Sequence, residues 1–378
     1  MDRAQWDRRC ESCGATYPYE DPVWRCRCGG LLSVAHTVRF TGPGPGQGLW
    51  RFRGSLPAPD GVEPVSLGEG GSPLIPVRGE PDGVYAKVEY EAPTGAFKDR
   101  GTSVVVTRFR HLGLRHVIED SSGNAGASMA AYCAVAGIRC TVYVPAAASA
   151  AKLTQMRTYG AEVMPVPGDR TAVAEAAIAA ADHAYYASHA WDPYYAEGLK
   201  TTAFEIAEQL NGAPARVVLP VGQGTMLLGL AKGFRELFAA GRIHRLPALI
   251  AAQSDACAPL YEAFHRNLDH LPAVRPRPGL LAEGIATAAP LRWRALLEAV
   301  RESGGTIVRV AEEAIPGALA DLGRRGLFVE PTTAVAYAGL AELRRARGAL
   351  EGATVLILTG SGLKASAIIQ SLSKEGTT

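Results

Sequence analysis

Lys98 is the residue of this chain with the most informative chemistry. It lies between a β-rich run that ends at Tyr90 and a helix predicted to begin near Thr102, in the segment Pro93-Thr94-Gly95-Ala96-Phe97-Lys98-Asp99-Arg100-Gly101. A lysine amine can form an imine with an aldehyde if burial lowers its pKa enough for the neutral form to be reached. Because Lys-Asp-Arg is more often a solvated helix start, Lys98 predicts covalent chemistry only in combination with other segments.

A loop of small residues follows the next predicted strand. Its sequence is Ser121-Ser122-Gly123-Asn124-Ala125, and a helix is predicted directly after it. Small residues let the backbone approach a ligand closely, and the first amides of a helix can bind a carboxylate. A plain Ser or Asn helix cap, with glycine for packing, explains the same residues equally well.

Two further strand ends carry residues suited to a phosphorylated ring. Gly222, Gln223, Gly224 and Thr225 lead into a helix predicted to begin near Met226, and helix amides favour a phosphate. This segment has neither the dinucleotide-binding glycine spacing nor a Gly-Lys-Ser/Thr triplet, so NAD and ATP are disfavoured. At the end of the last predicted strand, the segment 358–364 offers hydroxyls, among them that of Thr359, which can meet a neutral ring nitrogen.

The elements that must position these residues form an α/β pattern, in which short β-rich runs alternate with Ala-rich helical segments. The predicted strands are 84–90, 116–119, 139–144, 162–166, 216–221, 248–253, 306–310 and 353–359. Predicted helices include 172–183, 200–210, 227–238 and 333–347. A parallel sheet covered by helices binds ligands at the carboxyl ends of its strands, which is where the segments above lie.

Composition excludes several classes of partner. The 378 residues are 47% hydrophobic and 20% charged, with a net charge of +2 and no long block of one sign, which disfavours nucleic acid and anionic membranes. No apolar run approaches the ~20 residues of a membrane span, and the amino terminus lacks the apolar core of a secretory signal. We therefore expect a cytoplasmic protein with a small-molecule substrate.

Four cysteines crowd into the first thirty residues, at Cys10, Cys13, Cys26 and Cys28. Four thiols with turn-forming glycines nearby predict a zinc ribbon over residues 1–36, followed by a Gly- and Pro-rich linker over 37–66. The second pair has one spacer residue where ribbons usually have two, so reduced thiols or a metal-free remnant remain alternatives.

Taken together, the lysine, small-residue, glycine and hydroxyl segments resemble the tryptophan-synthase-β type (fold-type II) of pyridoxal-phosphate (PLP) enzymes. Within that type, the chain is most similar to the threonine synthase family, from about Gly68 to Ala367. Three further blocks carry the resemblance, Glu197-Gly198-Leu199-Lys200-Thr201, Ala282-Glu283-Gly284-Ile285-Ala286 and Glu330-Pro331-Thr332-Thr333-Ala334.

The resemblance implies a role for each segment. Lys98 holds the cofactor as a Schiff base and later moves protons, with Phe97 beside it. Asn124 bonds the phenolic oxygen of the cofactor, residues 222–225 bind its phosphate, and Thr359 faces its pyridine nitrogen. The loop formed by Ser121, Ser122, Gly123, Asn124 and Ala125 receives the α-carboxylate of the substrate.

The resemblance also implies an architecture of two three-layer αβα domains besides the ribbon. Residues 67–111 and 196–378 form the large PLP-binding domain, and residues 112–195 form a small mobile domain that closes over the substrate. Relatives are commonly dimers, so we expect a homodimer.

The implied reaction converts O-phosphohomoserine and water to threonine and phosphate, by γ-elimination and β-addition. Threonine synthases usually present Asn-Ser and then Arg before the Glu-Gly-x-Lys-Thr block, where this chain has His189, Ala190 and Tyr195. With Tyr195 in place of the arginine, the chain lacks a bidentate donor to the substrate phosphate, and this loss weakens binding of the phosphate dianion. His189, Lys152 and Arg157 are other candidates for contacting a phosphate, although His189 also fits a structural role.

There are two alternatives, and the first follows from this departure. One is β-elimination or β-replacement on an O-activated or free hydroxy amino acid, as in serine or threonine dehydratase and cysteate synthase. The other is a PLP-binding protein without turnover.

Overall fold

The computed structural model describes residues 6–35, 39–81, 83–148 and 150–375, without the side chains of residues 150–152 and 373–375. The predicted ribbon and linker therefore include a few residues, 1–5 and 36–38, that lie outside the described part of the chain.

The strands, in chain order, are β1 (Arg8–Cys10), β2 (Thr16–Tyr17), β3 (Leu32–Val34), β4 (Leu74–Pro76), β5 (Val84–Val88), β6 (His116–Glu119), β7 (Arg139–Pro145), β8 (Glu162–Val166), β9 (Tyr185–Tyr186), β10 (Arg216–Pro220), β11 (Ala248–Ser254), β12 (Thr306–Val310) and β13 (Thr354–Leu358).

The α-helices are α1 (Lys98–His111), α2 (Asn124–Ala136), α3 (Ala150–Thr158), α4 (Arg170–Ala180), α5 (Tyr195–Leu199), α6 (Thr201–Gln209), α7 (Thr225–Ala239), α8 (Pro259–His265), α9 (Trp293–Glu302), α10 (Ile315–Arg324), α11 (Pro331–Arg347) and α12 (Ser366–Glu375). Short 3₁₀ helices lie at Gly48–Ser55, Glu89–Glu91, Glu283–Ile285, Glu312–Ala314 and Gly362–Ala365.

The first compact unit comprises residues 1–71 and 98–201. It contains a small antiparallel sheet in the order β2-β1-β3 and a parallel sheet in the order β8-β7-β6-β9. Strand β7 is buried along most of its length, as expected for a central strand of a parallel sheet with apolar residues on both faces. Strands β6 and β9 are neighbours, so the residues that follow them lie at the same edge.

The second compact unit comprises residues 72–97 and 202–378. Its sheet has the order β12-β11-β10-β13-β5-β4, and only the edge strand β4 runs antiparallel to its neighbour. Strand β4 ends in Pro76, which lacks an amide hydrogen and so suits an edge strand. The fully buried strand β13 lies between β10 and β5, which brings three strand ends together at one edge.

The α/β class and all of the predicted strands are confirmed, with ends shifted by one or two residues. Four helix starts were predicted too late. Helix α1 begins at Lys98 instead of near Thr102, and α4, α7 and α11 begin one or two residues earlier than predicted. Helix α4 begins at Arg170 because the Asp169 carboxylate accepts the amides of Thr171 and Ala172.

Helix α1 packs within the first unit against α2 and α5, whereas the predicted large domain included residues 98–111. The predicted domain boundaries and the mobility of residues 112–195 stay predictions. Within the described residues, no helix is long and apolar enough to cross a membrane.

Candidate active site

Lys98 is held at the first position of α1 by contacts to its own backbone. Its carbonyl oxygen accepts hydrogen bonds from the Thr102 hydroxyl at 3.0 Å and from the Tyr195 hydroxyl at 2.9 Å. A Cβ at Gly101 would lie 2.5 Å from the Tyr195 ring, so glycine lets α5 pack directly on this turn. The position of the lysine backbone therefore depends on the helix that contains Tyr195.

A buried hydroxyl network joins the start of α1 to α2. The Ser128 hydroxyl lies 2.6 Å from a carboxylate oxygen of Asp99 and 2.8 Å from the Thr102 hydroxyl. All three side chains are buried. Because a buried polar group is costly without partners, this network fixes the turn around Lys98 relative to the helix that starts at Asn124.

The predicted carboxylate loop lies at the amino terminus of α2. Gly123 is the N-cap residue and makes no side-chain cap hydrogen bond. The first amides of a helix favour a carboxylate. A Cβ at Gly126 would lie 2.0 Å from the Ser121 carbonyl oxygen, so the loop closes this tightly only with glycine there. Ser121, Ser122 and Asn124 are half-buried, and the loop suits a carboxylate.

His189 and Glu119 form a buried pair beside this loop. The His189 Nδ1 atom lies 3.1 Å from a Glu119 carboxylate oxygen, and the Glu119 side chain is fully buried. Burial raises the pKa of Glu119 to about 8, although the charges of Arg170 and Lys98 oppose this. Burial and the Lys98 charge hold the pKa of His189 well below its usual value. Sequence reasoning selected His189 but missed Glu119.

Tyr195 occupies the position where the resemblance leads one to expect an arginine. It is buried, and burial holds the pKa of its phenol well above the usual value. Its hydroxyl lies 3.3 Å from that of Thr102 besides its bond to Lys98. Of the other candidate phosphate contacts, Arg157 is exposed on α3, and the Lys152 side chain lies outside the described part.

In the second unit, the predicted phosphate loop lies between β10 and α7. Gly224 adopts the left-handed conformation with φ at 77° and caps α7 without a side-chain hydrogen bond. A Cβ at Gly222 would lie 2.8 Å from the Ile285 Cα atom and 3.0 Å from the Thr287 hydroxyl. The loop is therefore shaped by glycine and presents backbone amides at a helix start, which suits a phosphate.

Thr359 follows β13 at the same edge of this sheet. Its hydroxyl lies 2.8 Å from the buried hydroxyl of Thr333, which also accepts the Gly360 amide at 2.8 Å. The Phe97 amide donates to the Thr359 carbonyl oxygen at 3.0 Å. The structure thus brings together Phe97 and Thr359, two predicted cofactor residues, and adds Thr333. Thr333 lies in the segment 330–334, which is one of the blocks that carry the resemblance. Nothing in the sequence predicted its contact with Thr359.

These residues fit pyridoxal phosphate by the chemistry of their donors. The second unit provides uncapped amides for a phosphate and a hydroxyl for a ring nitrogen. The first provides a lysine amine, the Asn124 amide and an uncapped helix start for a carboxylate. Their individual roles stay predictions.

The four clustered cysteines are close enough to bind one metal ion. Their sulfur atoms all lie within 4.8 Å of one another, with Cys10 and Cys28 at 3.6 Å and Cys13 and Cys26 at 3.5 Å. Tetrahedral zinc with ~2.3 Å bonds to sulfur places its ligands ~3.8 Å apart. The cluster is therefore compatible with a zinc ribbon.

Comparison with known proteins decides the family. Residues 65–360 match the family described as pyridoxal-phosphate dependent enzyme. The chain belongs to this family. Pyridoxal phosphate is accordingly its cofactor, as predicted, and the similarity to threonine synthases described next identifies it as a PLP-dependent lyase.

Curated relatives of this PLP-dependent lyase are threonine synthases. That of Methanocaldococcus jannaschii is 37% identical over 377 residues, covering 94% of this chain and 92% of the relative. That of Mycobacterium leprae is 36% identical, covering 85% of this chain and 89% of its own length.

A solved structure supports the fold alone. The processed form of threonine deaminase isoform 2 from Solanum lycopersicum is similar with a TM-score of 0.67 and 22% identity, covering 80% of this chain and 83% of that one.

Proposed function

We propose that this enzyme converts O-phosphohomoserine and water to threonine and phosphate. The observation that carries this proposal is the 37% identity to the Methanocaldococcus jannaschii threonine synthase across 94% of the chain. The alignment covers 94% of the chain and therefore includes most of both compact units.

In this proposal each site residue has a definite task. Lys98 would hold the cofactor through its amine, and its amine group would take the proton from the α-carbon of the substrate. The first amides of α2, with Ser121 and Ser122, bind the α-carboxylate, and Asn124 orients the ring of the cofactor. Pyridoxal phosphate supplies the electron-withdrawing ring that stabilises negative charge at the α-carbon. Gly222, Gln223, Gly224 and Thr225 bind the cofactor phosphate, and Thr359 meets the ring nitrogen.

A second candidate is β-elimination or β-replacement on serine, threonine or an O-activated serine. The observation that favours it is the engagement of Tyr195, whose hydroxyl contacts the Lys98 carbonyl and the Thr102 hydroxyl. This residue brings no positive charge for a substrate phosphate, and its one hydroxyl already has partners.

A product assay separates the two candidates. The purified holoenzyme is given O-phosphohomoserine, and phosphate and threonine are measured. Parallel samples contain serine or threonine, and keto acid is measured. Stoichiometric phosphate and threonine support the proposal, with Lys98→Ala as the background control. Keto acid formation without turnover of O-phosphohomoserine would select the second candidate.

We also propose that Cys10, Cys13, Cys26 and Cys28 bind one zinc ion and that the enzyme is a homodimer. The sulfur separations support the metal site, and the dimer follows from the resemblance alone. Metal analysis of the purified protein and its sedimentation behaviour test the two statements separately.

A further inference from the structure

The Glu119 and His189 pair lies where two neighbouring strands end. Strands β6 and β9 run parallel, with Val117 opposite Tyr185 and Ile118 opposite Tyr186. Glu119 ends β6, and His189 follows β9 by three residues. Their side chains are 0% and 9% exposed, and the Glu119 oxygen lies 3.1 Å from the His189 Nδ1 atom.

The surroundings disfavour charge separation within this pair. The elements packed around Glu119 and His189 each bring a titratable or charged group that interacts electrostatically with one or both of them. These groups are Lys98 on α1, Cys133 on α2, Arg170 on α4, Tyr195 on α5, and the neighbouring Asp120 and Tyr186. Burial raises the pKa of Glu119 to about 8 and lowers the pKa of His189. Both changes favour a protonated carboxyl beside a neutral imidazole over an ion pair.

This protonation state determines which imidazole nitrogen carries hydrogen. A protonated Glu119 donates to Nδ1, so the hydrogen of the neutral ring must be on Nε2. Among the described residues, no hydrogen bond is formed by Nε2 of His189. Glu119 lies two residues before Ser121, so the pair lies beside the predicted carboxylate loop, and the charge of Lys98 acts on both residues of the pair.

We propose that Glu119 is a positioning residue that sets the tautomer of His189 and makes the pair a proton donor for the leaving oxygen of the substrate. When the bond between carbon and oxygen breaks, Nε2 gives its proton to the departing phosphate oxygen. Nδ1 takes the Glu119 proton, and the resulting carboxylate keeps its hydrogen bond to Nδ1. The water that adds at Cβ returns a proton to Nε2 and reverses the transfer.

Leaving-group chemistry supports such a donor. A phosphate monoester dianion that loses its carbon substituent without a proton would leave as the poorly stabilised trianion. The paired transfer provides that proton without placing a positive charge on a buried imidazole, which burial makes costly. The substrate-facing step rests on the proposed function, whereas the tautomer of the resting enzyme does not.

The first test uses the resting holoenzyme labelled with ¹⁵N-histidine, with the His189 signals assigned by their loss in His189→Gln. We expect hydrogen on Nε2 below a pH of about 8 and on Nδ1 above it. In Glu119→Gln the pH-dependent exchange of tautomer should disappear, while Glu162→Gln, which changes a carboxylate on β8 of the same sheet, should retain it. A doubly protonated His189 at neutral pH, or an unchanged tautomer titration in Glu119→Gln, would overturn the proposal.

The second test measures phosphate release against pH. The wild type should lose kcat above a pH of about 8, where the pair has lost its donor proton. Glu119→Gln should lower kcat ~10²- to 10⁴-fold, with KM little changed and without this alkaline limb. If kcat of Glu119→Gln falls by the same factor at every pH, so that the alkaline limb of the wild type is retained, the proposal is contradicted. If O-phosphohomoserine is no substrate, the proposed function fails while the tautomer experiment still decides the role of Glu119.

Discussion

Thr333→Val is the substitution that tests the second unit most directly. The Thr333 side chain is fully buried in the first turn of α11. Its hydroxyl accepts the Gly360 amide at 2.8 Å and lies 2.8 Å from the Thr359 hydroxyl. Valine has nearly the same shape as threonine, so the substitution largely preserves the packing. It removes these two hydrogen bonds and the one that the hydroxyl donates to the Gly360 carbonyl oxygen at 3.2 Å.

The expected cost has two parts. A buried amide without an acceptor costs about 1–3 kcal/mol, so the Gly360 amide should lower the free energy of unfolding by that amount. In a domain of 150–250 residues, this corresponds to a fall in Tm of about 2–4 °C for each kcal/mol. Loss of the partner that orients Thr359 should weaken cofactor binding by about 2- to 12-fold, the range of one neutral hydrogen bond.

Thermal denaturation of the apoenzyme measures the first part, and titration of the visible absorbance with pyridoxal phosphate measures the second. Thr333→Ser retains the hydroxyl and should recover most of the cofactor affinity. Thr158→Val, at an exposed position on α3, should change neither quantity. Wild-type cofactor affinity and absorbance in Thr333→Val would refute the assignment of Thr359 to the ring nitrogen, or the role of Thr333 in orienting it.

Four other substitutions or treatments test separate features. Lys98→Ala should abolish covalent cofactor retention on borohydride reduction and turnover, whereas Lys232→Ala should preserve both. Gly222→Ala should weaken cofactor binding, measured by absorbance titration, because its Cβ would lie 2.8 Å from the Ile285 Cα atom. Glu119 should contribute a fall in the stability of the wild type as pH rises from about 4 to about 8, because the folded state keeps the Glu119 proton that the unfolded state releases. The lowered pKa of His189 opposes this fall below a pH of about 6.5, so the net loss of stability should appear between about 6.5 and about 8. Denaturant titrations of Glu119→Gln should lack this slope of on the order of 1 kcal/mol per pH unit. Removal of a bound metal with a chelator should lower the Tm of the wild type, and Cys28→Ser should lower the Tm without a chelator. If the chelator leaves the Tm unchanged and the purified protein contains no metal, the zinc site is rejected.

Some of the candidate site was predictable because its signals are local. Glycines at 222 and 224, small residues at 121–125 and a hydroxyl at 359 each follow a strand directly, and strand ends can be located from runs of apolar residues. The start of α1 was predicted four residues too late because Lys98, Asp99 and Arg100 look like a solvated turn. In the structure, Asp99 and Arg100 are buried, and their hydrogen bonds to Ser128 and Thr201 come from distant segments.

By itself the sequence determined the α/β class, the positions of the eight predicted strands and the residues at their carboxyl ends, because these depend on short-range patterns of apolar residues and glycine. The shorter strands β1, β2, β3, β4 and β9 were not predicted. Only the tertiary structure decided that Glu119 pairs with His189, that Thr333 orients Thr359 and that Tyr195 binds the Lys98 carbonyl. These partners are separated by 70, 26 and 97 residues. The order of strands in each sheet and the packing of α5 on α1 determine which distant residues meet, and neither is encoded in a local pattern.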